Sequence, residues 1–96
     1  MTHLTFGQYS NFNKEIKERV LPKSLTHLTF GEVFNKIIGK GVLPENLTHL
    51  IFGGKFNQEI EKGVLPKNLT HLTFGFWFNK EIRKLLPKNL IHLIFR

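Results

Sequence analysis

One six-residue sequence dominates this chain: Leu25-Thr26-His27-Leu28-Thr29-Phe30. Leu28 and Phe30 alternate with His27 and Thr29, and this period of two is typical of a β-strand with one buried face. Copies of the sequence lie at Leu47–Phe52 and Leu69–Phe74, with a shorter copy at Thr2–Phe6 and a variant at Leu90–Phe95. We therefore predict five short strands, each with a histidine on its outward face.

The repeat unit is about 22 residues long, because successive histidines are 24, 22, 22 and 21 residues apart. A two-residue insertion within residues 8–11 lengthens the first unit, and a one-residue deletion between Ile82 and Pro87 shortens the fourth. We expect a single repeat domain over residues 1–96, with units at approximately 1–20, 21–42, 43–64, 65–85 and 86–96.

The segments between the strands carry two further recurring sequences, Phe-Asn-x-x-Ile and Leu-Pro. The leucine before each proline is disfavoured in a helix, so no helix runs through these points. A spacing of four between Phe30, Phe34 and Ile38 allows one or two helical turns at most, and we favour short 3-10 or irregular structure. The prediction is a mainly β, right-handed solenoid with five parallel strands on one face and irregular or 3-10 segments on the other.

Stacking of the units would bury the same positions of every unit in one continuous interior, since a single unit cannot bury them alone. The predicted core columns are represented in one unit by Leu25, Leu28, Phe30, Phe34, Ile38 and Leu43. Gly7, Gly31, Gly53 and Gly75 follow the strands, where we expect a sharp exit that permits positive φ. The recurring Asn13, Asn35, Asn57 and Asn79 suit a ladder in which each amide bonds the backbone of a neighbouring unit.

The composition argues against an enzyme. The chain has no cysteine and no aspartate, which excludes a disulfide framework, a thiolate metal site and a cysteine nucleophile. Its two serines, Ser10 and Ser24, lie outside any recognised nucleophile motif. We therefore expect no enzymatic activity and no cofactor.

A net charge of +7 raises nucleic-acid binding as an alternative function, because basic side chains bind phosphates without sequence preference. The 14 basic residues are spread along the chain, often beside glutamate, and form no basic arm. We expect a solvated surface and no nucleic-acid partner.

No apolar run approaches a membrane span, and the start Met1-Thr2-His3 lacks signal-peptide features. We expect no membrane contact and an intracellular location, cytoplasmic or nuclear.

The complete units resemble FNIP repeats, relatives of leucine-rich repeats found in slime moulds and giant viruses of amoebae. The resemblance is carried by Leu43–Ile60 and Leu65–Ile82, which read Leu-Pro-x-Asn-Leu-Thr-His-Leu-x-Phe-Gly-x-x-Phe-Asn-x-x-Ile. It implies a leucine-rich-repeat-like solenoid that acts as a protein-protein interaction module. Such repeats often follow an F-box, which implies substrate recognition for a ubiquitin ligase when the two are joined.

The recurring histidines form the first candidate site, together with the next outward column on the strands. We predict a protein-binding face made of His3, His27, His49, His71 and His92 beside Thr29, Ile51 and Thr73. Stacked imidazoles oppose one another's protonation, so their pKa values should lie below about 6.5. Packing imposed by the repeat and a shared metal ion are the alternatives. No carboxylate or thiolate at an adjacent outward position would complete a tetrahedral metal site.

Two further sites depart from the repeat. Phe76 and Trp77 occupy variable loop positions, where they are either anchors for a protein partner or satellite core packing. Ile91 and Ile94 replace threonine in the last strand and make its outward face more apolar. Because no polar repeat caps either end, we expect further repeats or self-association through the terminal strands. The identity of the protein partner is not encoded in any motif.

Overall fold

The computed structural model describes all 96 residues of the chain. Its elements are β1 (His3–Thr5), β2 (His27–Thr29), β3 (His49–Ile51), β4 (His71–Phe74), a 3-10 helix (Arg83–Leu85) and β5 (His92–Phe95). The strands form one parallel sheet in the order β1-β2-β3-β4-β5. Turns and irregular segments make up most of the opposite side. The predicted solenoid, with strands on one face and irregular or 3-10 structure on the other, is confirmed.

The register of the sheet aligns equivalent residues of successive repeats. His27 lies opposite His49, and Leu28 lies opposite Leu50. Backbone bonds before each strand preserve this alignment: the N–H groups of Thr26 and His27 both donate to the carbonyl of Thr2, at 2.7 and 3.0 Å. The same pair of bonds recurs in the next three units. Each side chain therefore meets its own equivalents in the neighbouring coils.

The interior is one continuous hydrophobic core that runs through the coils. All six predicted core columns are buried in the second unit, from Leu25 to Leu43. Phenylalanine rings fill much of this core and stack between units, as for Phe30 and Phe52, whose ring centroids are 5.4 Å apart. The prediction that stacking buries what one unit leaves exposed is confirmed.

The spacing between coils widens away from the sheet. Histidine rings on the outward face of the sheet are 4.0–4.6 Å apart. The phenylalanine column that begins at Phe6 has separations of 5.4–5.9 Å, and the column that begins at Phe12 has separations of 5.9–6.2 Å. We infer from this gradient that the array curves with the strand face on the inside.

The asparagine ladder has the predicted form. The backbone N–H groups of Asn35, Asn57 and Asn79 donate to the Oδ1 atom of the asparagine one unit earlier, at 2.8–3.1 Å. A second ladder was not predicted: the Nδ2 groups of Asn46, Asn68 and Asn89 donate to backbone carbonyls of the preceding unit. Both ladders satisfy backbone groups in segments that lack regular secondary structure.

The expected reason for glycine after the strands was wrong. None of these glycines has positive φ. A Cβ atom on Gly53 or Gly75 would instead collide with backbone atoms of the glycine one unit earlier, and on Gly31 it would lie 2.8 Å from the Gly7 carbonyl oxygen. Glycine is therefore needed here because successive backbones approach closely.

Positive φ occurs on the opposite side of the coil, at Arg19, Gly41 and Gly63, with φ of 66°, 81° and 89°. These residues are equivalent in three successive units. The one-residue deletion in the fourth unit removes this position, and the shortened segment forms the 3-10 helix, with the Leu85 N–H donating to the Ile82 carbonyl at 2.8 Å.

Gly63→Ala should lower the free energy of unfolding by about 1–2 kcal/mol, because alanine is strained in the left-handed region. Gly39→Ala is the matched control: its φ is ordinary, and its added Cβ would meet only a Val42 methyl group at 3.9 Å. That control should change stability little or raise it slightly. Urea denaturation of both variants measures the difference, and equal effects would contradict a conformational role for Gly63.

Candidate functional site

The outward face of the sheet, here called the strand face, consists of two side-chain columns. One column is the five histidines, half-buried at His27, His49 and His71 and exposed at both ends. The second holds Thr5, Thr29, Ile51, Thr73 and Ile94, of which Thr73 is buried. None of the five strands contains lysine, arginine or glutamate. The structure thus brings the predicted histidine and threonine-isoleucine columns together on one surface that has no permanent charge.

The histidine rings stack face to face along the whole array. Successive centroids are 4.0, 4.1, 4.1 and 4.6 Å apart, and the interplanar angles range from 9° to 23°. The widest separation and the largest angle both belong to the last pair, His71 and His92. The column is therefore most regular in the central coils.

Each of the first four histidines is held by the threonine that precedes it. Nδ1 of His27, His49 and His71 lies 2.8 Å from the threonine Oγ1, and the His3 pair is at 2.9 Å. The hydroxyls of Thr26, Thr48 and Thr70 also lie 3.1 Å from a carbonyl oxygen of the preceding unit. Nε2 has no protein hydrogen-bond partner in these rings and is not buried.

Sequence reasoning missed these threonines as part of the site. Thr26, Thr48 and Thr70 hold the second position of the repeated sequence, and the recurrence of threonine before the first four histidines was the available signal. The last unit has Ile91 at this position, so His92 lacks the hydroxyl partner. This loss coincides with the looser stacking of the last ring.

The pKa values of His27 and His49 lie below the ordinary histidine value. Partial burial is the main cause, since it disfavours the charged imidazolium, and repulsion from the neighbouring histidines adds to it. Repulsion comes from His3 and His71 for both rings, and from His27 for His49. The predicted lowering of the pKa is confirmed for these two histidines.

The lowered pKa values predict that the fold loses stability in mild acid. The unfolded chain binds protons near pH 6.5, whereas folded His27 and His49 bind them only at lower pH. Their contribution to stability is therefore complete above about pH 6.5 and is lost as the pH falls through the folded pKa values. Urea denaturation from about pH 7.5 to about pH 5 should show this decrease. His27→Asn with His49→Asn should reduce it, and an unchanged pH dependence would contradict the assignment.

The geometry of the column offers little to a metal ion. No group of three or more histidine, cysteine, aspartate or glutamate side chains is arranged to hold one. Neighbouring rings are nearly parallel, so their nitrogen lone pairs point in similar directions rather than towards a common centre. The metal alternative thus has no support in the geometry.

Phe76 and Trp77 project from the turn that follows β4. Their side chains are 82% and 54% exposed, so the satellite core packing alternative is wrong. The Trp77 N–H donates to the Gly54 carbonyl at 2.9 Å, which holds the turn against the previous unit. The Lys55 ammonium lies 5.8 Å from the Trp77 ring centroid, within the range of a cation–π contact. The role of Phe76 and Trp77 in binding a protein partner stays a prediction.

The last strand, β5, and Ile91 just before it present apolar side chains to solvent. Ile91 is 70% exposed and Ile94 is 49% exposed, and Leu93 and Phe95 are exposed as well. The outer edge of β5 has no strand paired with it. The structure therefore places the two predicted edge residues on an uncovered apolar surface.

No helix in the structure has the length and apolar character needed to cross a lipid bilayer.

This architecture, parallel strands on the inner curve and irregular segments outside, defines a solenoid of the leucine-rich-repeat class. The chain belongs to the FNIP repeat family, whose repeat matches residues 1–33 and 34–77. It is also similar to CroV588, a giant-virus protein described as a novel circular leucine-rich-repeat structure, with 54% sequence identity and a TM-score of 0.93. The match covers 100% of this chain and 14% of CroV588, so the chain spans about a seventh of that protein's length. No curated protein sequence matches the chain.

Proposed function

We propose that this repeat domain is a non-enzymatic protein-interaction module that binds its partner through the strand face. The observation that carries the proposal is the regular array of histidine, threonine and isoleucine without permanent charge, on the inside of the curve. Such a surface offers hydrogen bonds and apolar contacts at modest desolvation cost. The exposed Phe76 and Trp77 supply aromatic anchors at the rim, because aromatic side chains bury a large area with little loss of entropy.

Ubiquitin-ligase substrate recognition is the finer form of this proposal. When an FNIP array is joined to an F-box, the strand face would bind the substrate. Nucleic-acid binding is the alternative, and its support is the net charge of +7. The basic side chains lie outside the strands, and one of them, Lys67, pairs with Glu45 at 3.5 Å on the surface.

The decisive experiment compares two charge substitutions on the immobilised domain. Ile51→Arg places a charge at the centre of the strand face, whereas Ile37→Arg places one at an exposed position on the opposite side. Proteins retained from a cell extract should be lost with Ile51→Arg and kept with Ile37→Arg, provided that circular dichroism shows both variants folded. Retention should persist at about 1 M salt, where the Debye length is about 3 Å. Retention of nucleic acid instead, with loss at high salt, would favour the alternative.

We also propose that β5 pairs with a second copy of the chain. Two observations support this: Ile91 and Ile94 are exposed, and the β4–β5 register leaves the outer edge of β5 ready for another parallel strand. β1 of a second copy offers His3, Leu4 and Thr5, the same residue types that β5 meets in β4.

Ile91→Lys with Ile94→Lys should shift the chain from an assembled form towards monomer, because two charges oppose strand pairing at this face. Light scattering measures the shift, and unchanged circular dichroism shows that the fold survives. Thr5→Lys, exposed on the outward face of β1, tests the other partner surface. A wild-type chain that is monomeric at high concentration would contradict self-pairing.

A further inference from the structure

The strand face changes its charge more than any other surface of the molecule when the pH falls from neutral to mildly acidic. Its strands contain no lysine, arginine or glutamate, and its five histidines are the only titratable groups within them. The interactions that oppose protonation of His27 and His49 come only from burial and from other histidines of the column. Protonation therefore converts a neutral strip into a row of stacked cations.

The threonine hydroxyls allow this change without loss of hydrogen bonds. An imidazolium donates from Nδ1 to the threonine Oγ1, and the hydroxyl in turn donates to the carbonyl 3.1 Å away in the preceding unit. A neutral ring accepts from the hydroxyl at the same 2.8 Å separation when its Nδ1 is unprotonated. In the charged form Nε2–H remains free and faces solvent, because no protein group bonds to it.

We propose that the histidine column is an acid-activated binding site for an extended peptide segment rich in carboxylates. This proposal rests on the protein-interaction function proposed above and extends it to mild acid: the salt-resistant binding at neutral pH uses the uncharged strand face, and protonation adds a salt-sensitive contact with carboxylates. Carboxylates that accept from the Nε2–H groups would relieve the repulsion between stacked imidazolium rings. Proton binding and peptide binding then favour each other, as linkage requires.

The dimensions of the column suit such a segment. Side chains on one face of an extended peptide recur about every 6.6 Å. Histidine rings recur every 4.0–4.6 Å, so successive carboxylates would fall about one and a half rings apart, alternately between two rings and opposite one ring. Charged residues flank the strands on both sides: Lys23, Glu45, Lys67 and Lys88 precede them, and Glu32, Lys55 and Arg96 follow them. This flanking charge is predominantly positive and favours an acidic segment over a basic one.

The test is an NMR titration of the full chain with a hexaglutamate peptide at about pH 5.5 and about pH 7.5. Binding should be at least about tenfold tighter at the lower pH, because each histidine whose pKa rises by about one unit on binding contributes up to about tenfold. Signals of His27, His49 and His71 should move, and the pKa values of His27 and His49, which lie below the ordinary value in the free chain, should rise when the peptide is present. A hexaglutamine peptide, which lacks the charges, should not bind.

His27→Asn with His49→Asn should remove most of the pH dependence of hexaglutamate binding. Lys36→Gln, at an exposed position on the opposite side, should leave it intact. Equal affinity at both pH values would overturn the proposal and assign binding to the lysines. Tighter binding of an oligonucleotide than of hexaglutamate, with the same histidine shifts, would overturn the assignment to a peptide.

Failure of this inference is distinguishable from failure of the proposed function. If hexaglutamate does not bind but Ile51→Arg still abolishes protein retention at neutral pH, the strand face recognises a partner of different chemistry, and the histidine proposal is wrong. If Ile51→Arg leaves retention unchanged, the strand face is not the interaction surface, and the proposed function is wrong as well.

Discussion

Leu50→Ala should lower the free energy of unfolding by about 2–5 kcal/mol, and Leu4→Ala should lower it by clearly less. The Leu50 side chain is fully buried and lies between Leu28 and Leu72 in the register of the sheet. Leu4 is only partly buried, because it has a neighbouring strand on one side. The same deletion of three carbon atoms therefore leaves an internal cavity in one coil and a partly solvated gap in the other.

Urea denaturation of the two variants measures this difference directly. The expected cost for Leu50→Ala is a large fraction of the stability of a small domain, so the unfolding midpoint of this variant should lie far below that of the wild-type chain. Leu4→Ala should keep a cooperative transition at a lower midpoint. Equal midpoint shifts would mean that neighbouring coils do not support one another, which would contradict the stacked core.

The sequence predicted the parts of this structure that depend on repetition. Because the repeat is nearly constant in length, stacking places each residue against its own equivalents in the neighbouring units. The contacts between units can therefore be predicted from the sequence of one unit. This is why the buried columns, the ladder through Asn35 and Asn57, and the lowered pKa of His49 were predictable. The buried columns and the ladder follow from knowing only that a like residue lies one coil away, whereas the lowered pKa of His49 results first from partial burial and then from the neighbouring histidines.

The features that were not predictable depend on contacts between unlike groups. The threonine hydroxyl that joins His49 to a carbonyl of another unit requires the backbone register as well as the order of residues. The position with positive φ was not predictable either, because in the first unit it is occupied by Arg19 rather than by glycine. The exposure of Trp77 depends on the path of a turn that no other unit shares in sequence. Departures from the repeat identified these segments but not their conformations.

The glycine after each strand shows how a correct residue assignment can have the wrong physical reason. The φ angle of Gly53 is not positive, so other residues could adopt its backbone conformation. The preference for glycine at this position is therefore explained by the lack of room for a Cβ atom. A Cβ atom there would overlap the backbone of Gly31 and lie 2.9 Å from the Glu32 Cα atom. Backbone atoms cannot move aside as a flexible side chain can, so the two coils would have to separate.

Gly53→Ala should therefore lower the free energy of unfolding by about 1–3 kcal/mol or more, as an overpacked core does. Gly7→Ala is a matched control at the equivalent position of the first unit, where an added Cβ would have no neighbour within 4 Å. That substitution should be neutral or slightly stabilising, because alanine restricts the unfolded chain.

Hydrogen exchange adds a local measurement that separates coil displacement from a general loss of stability. The Phe30 N–H donates to the Ile51 carbonyl at 2.8 Å, and the Lys55 N–H donates to the Glu32 carbonyl at 3.0 Å, so both bonds join the coils that Gly53→Ala forces apart. These two amides should lose more protection than the Trp77 N–H, which bonds the next coil boundary. Uniform loss across all three amides, or an equal cost for Gly7→Ala, would contradict the steric explanation. Selective loss would show that glycine sets how closely the coils approach, and thereby the spacing of the histidine rings that the same strands carry.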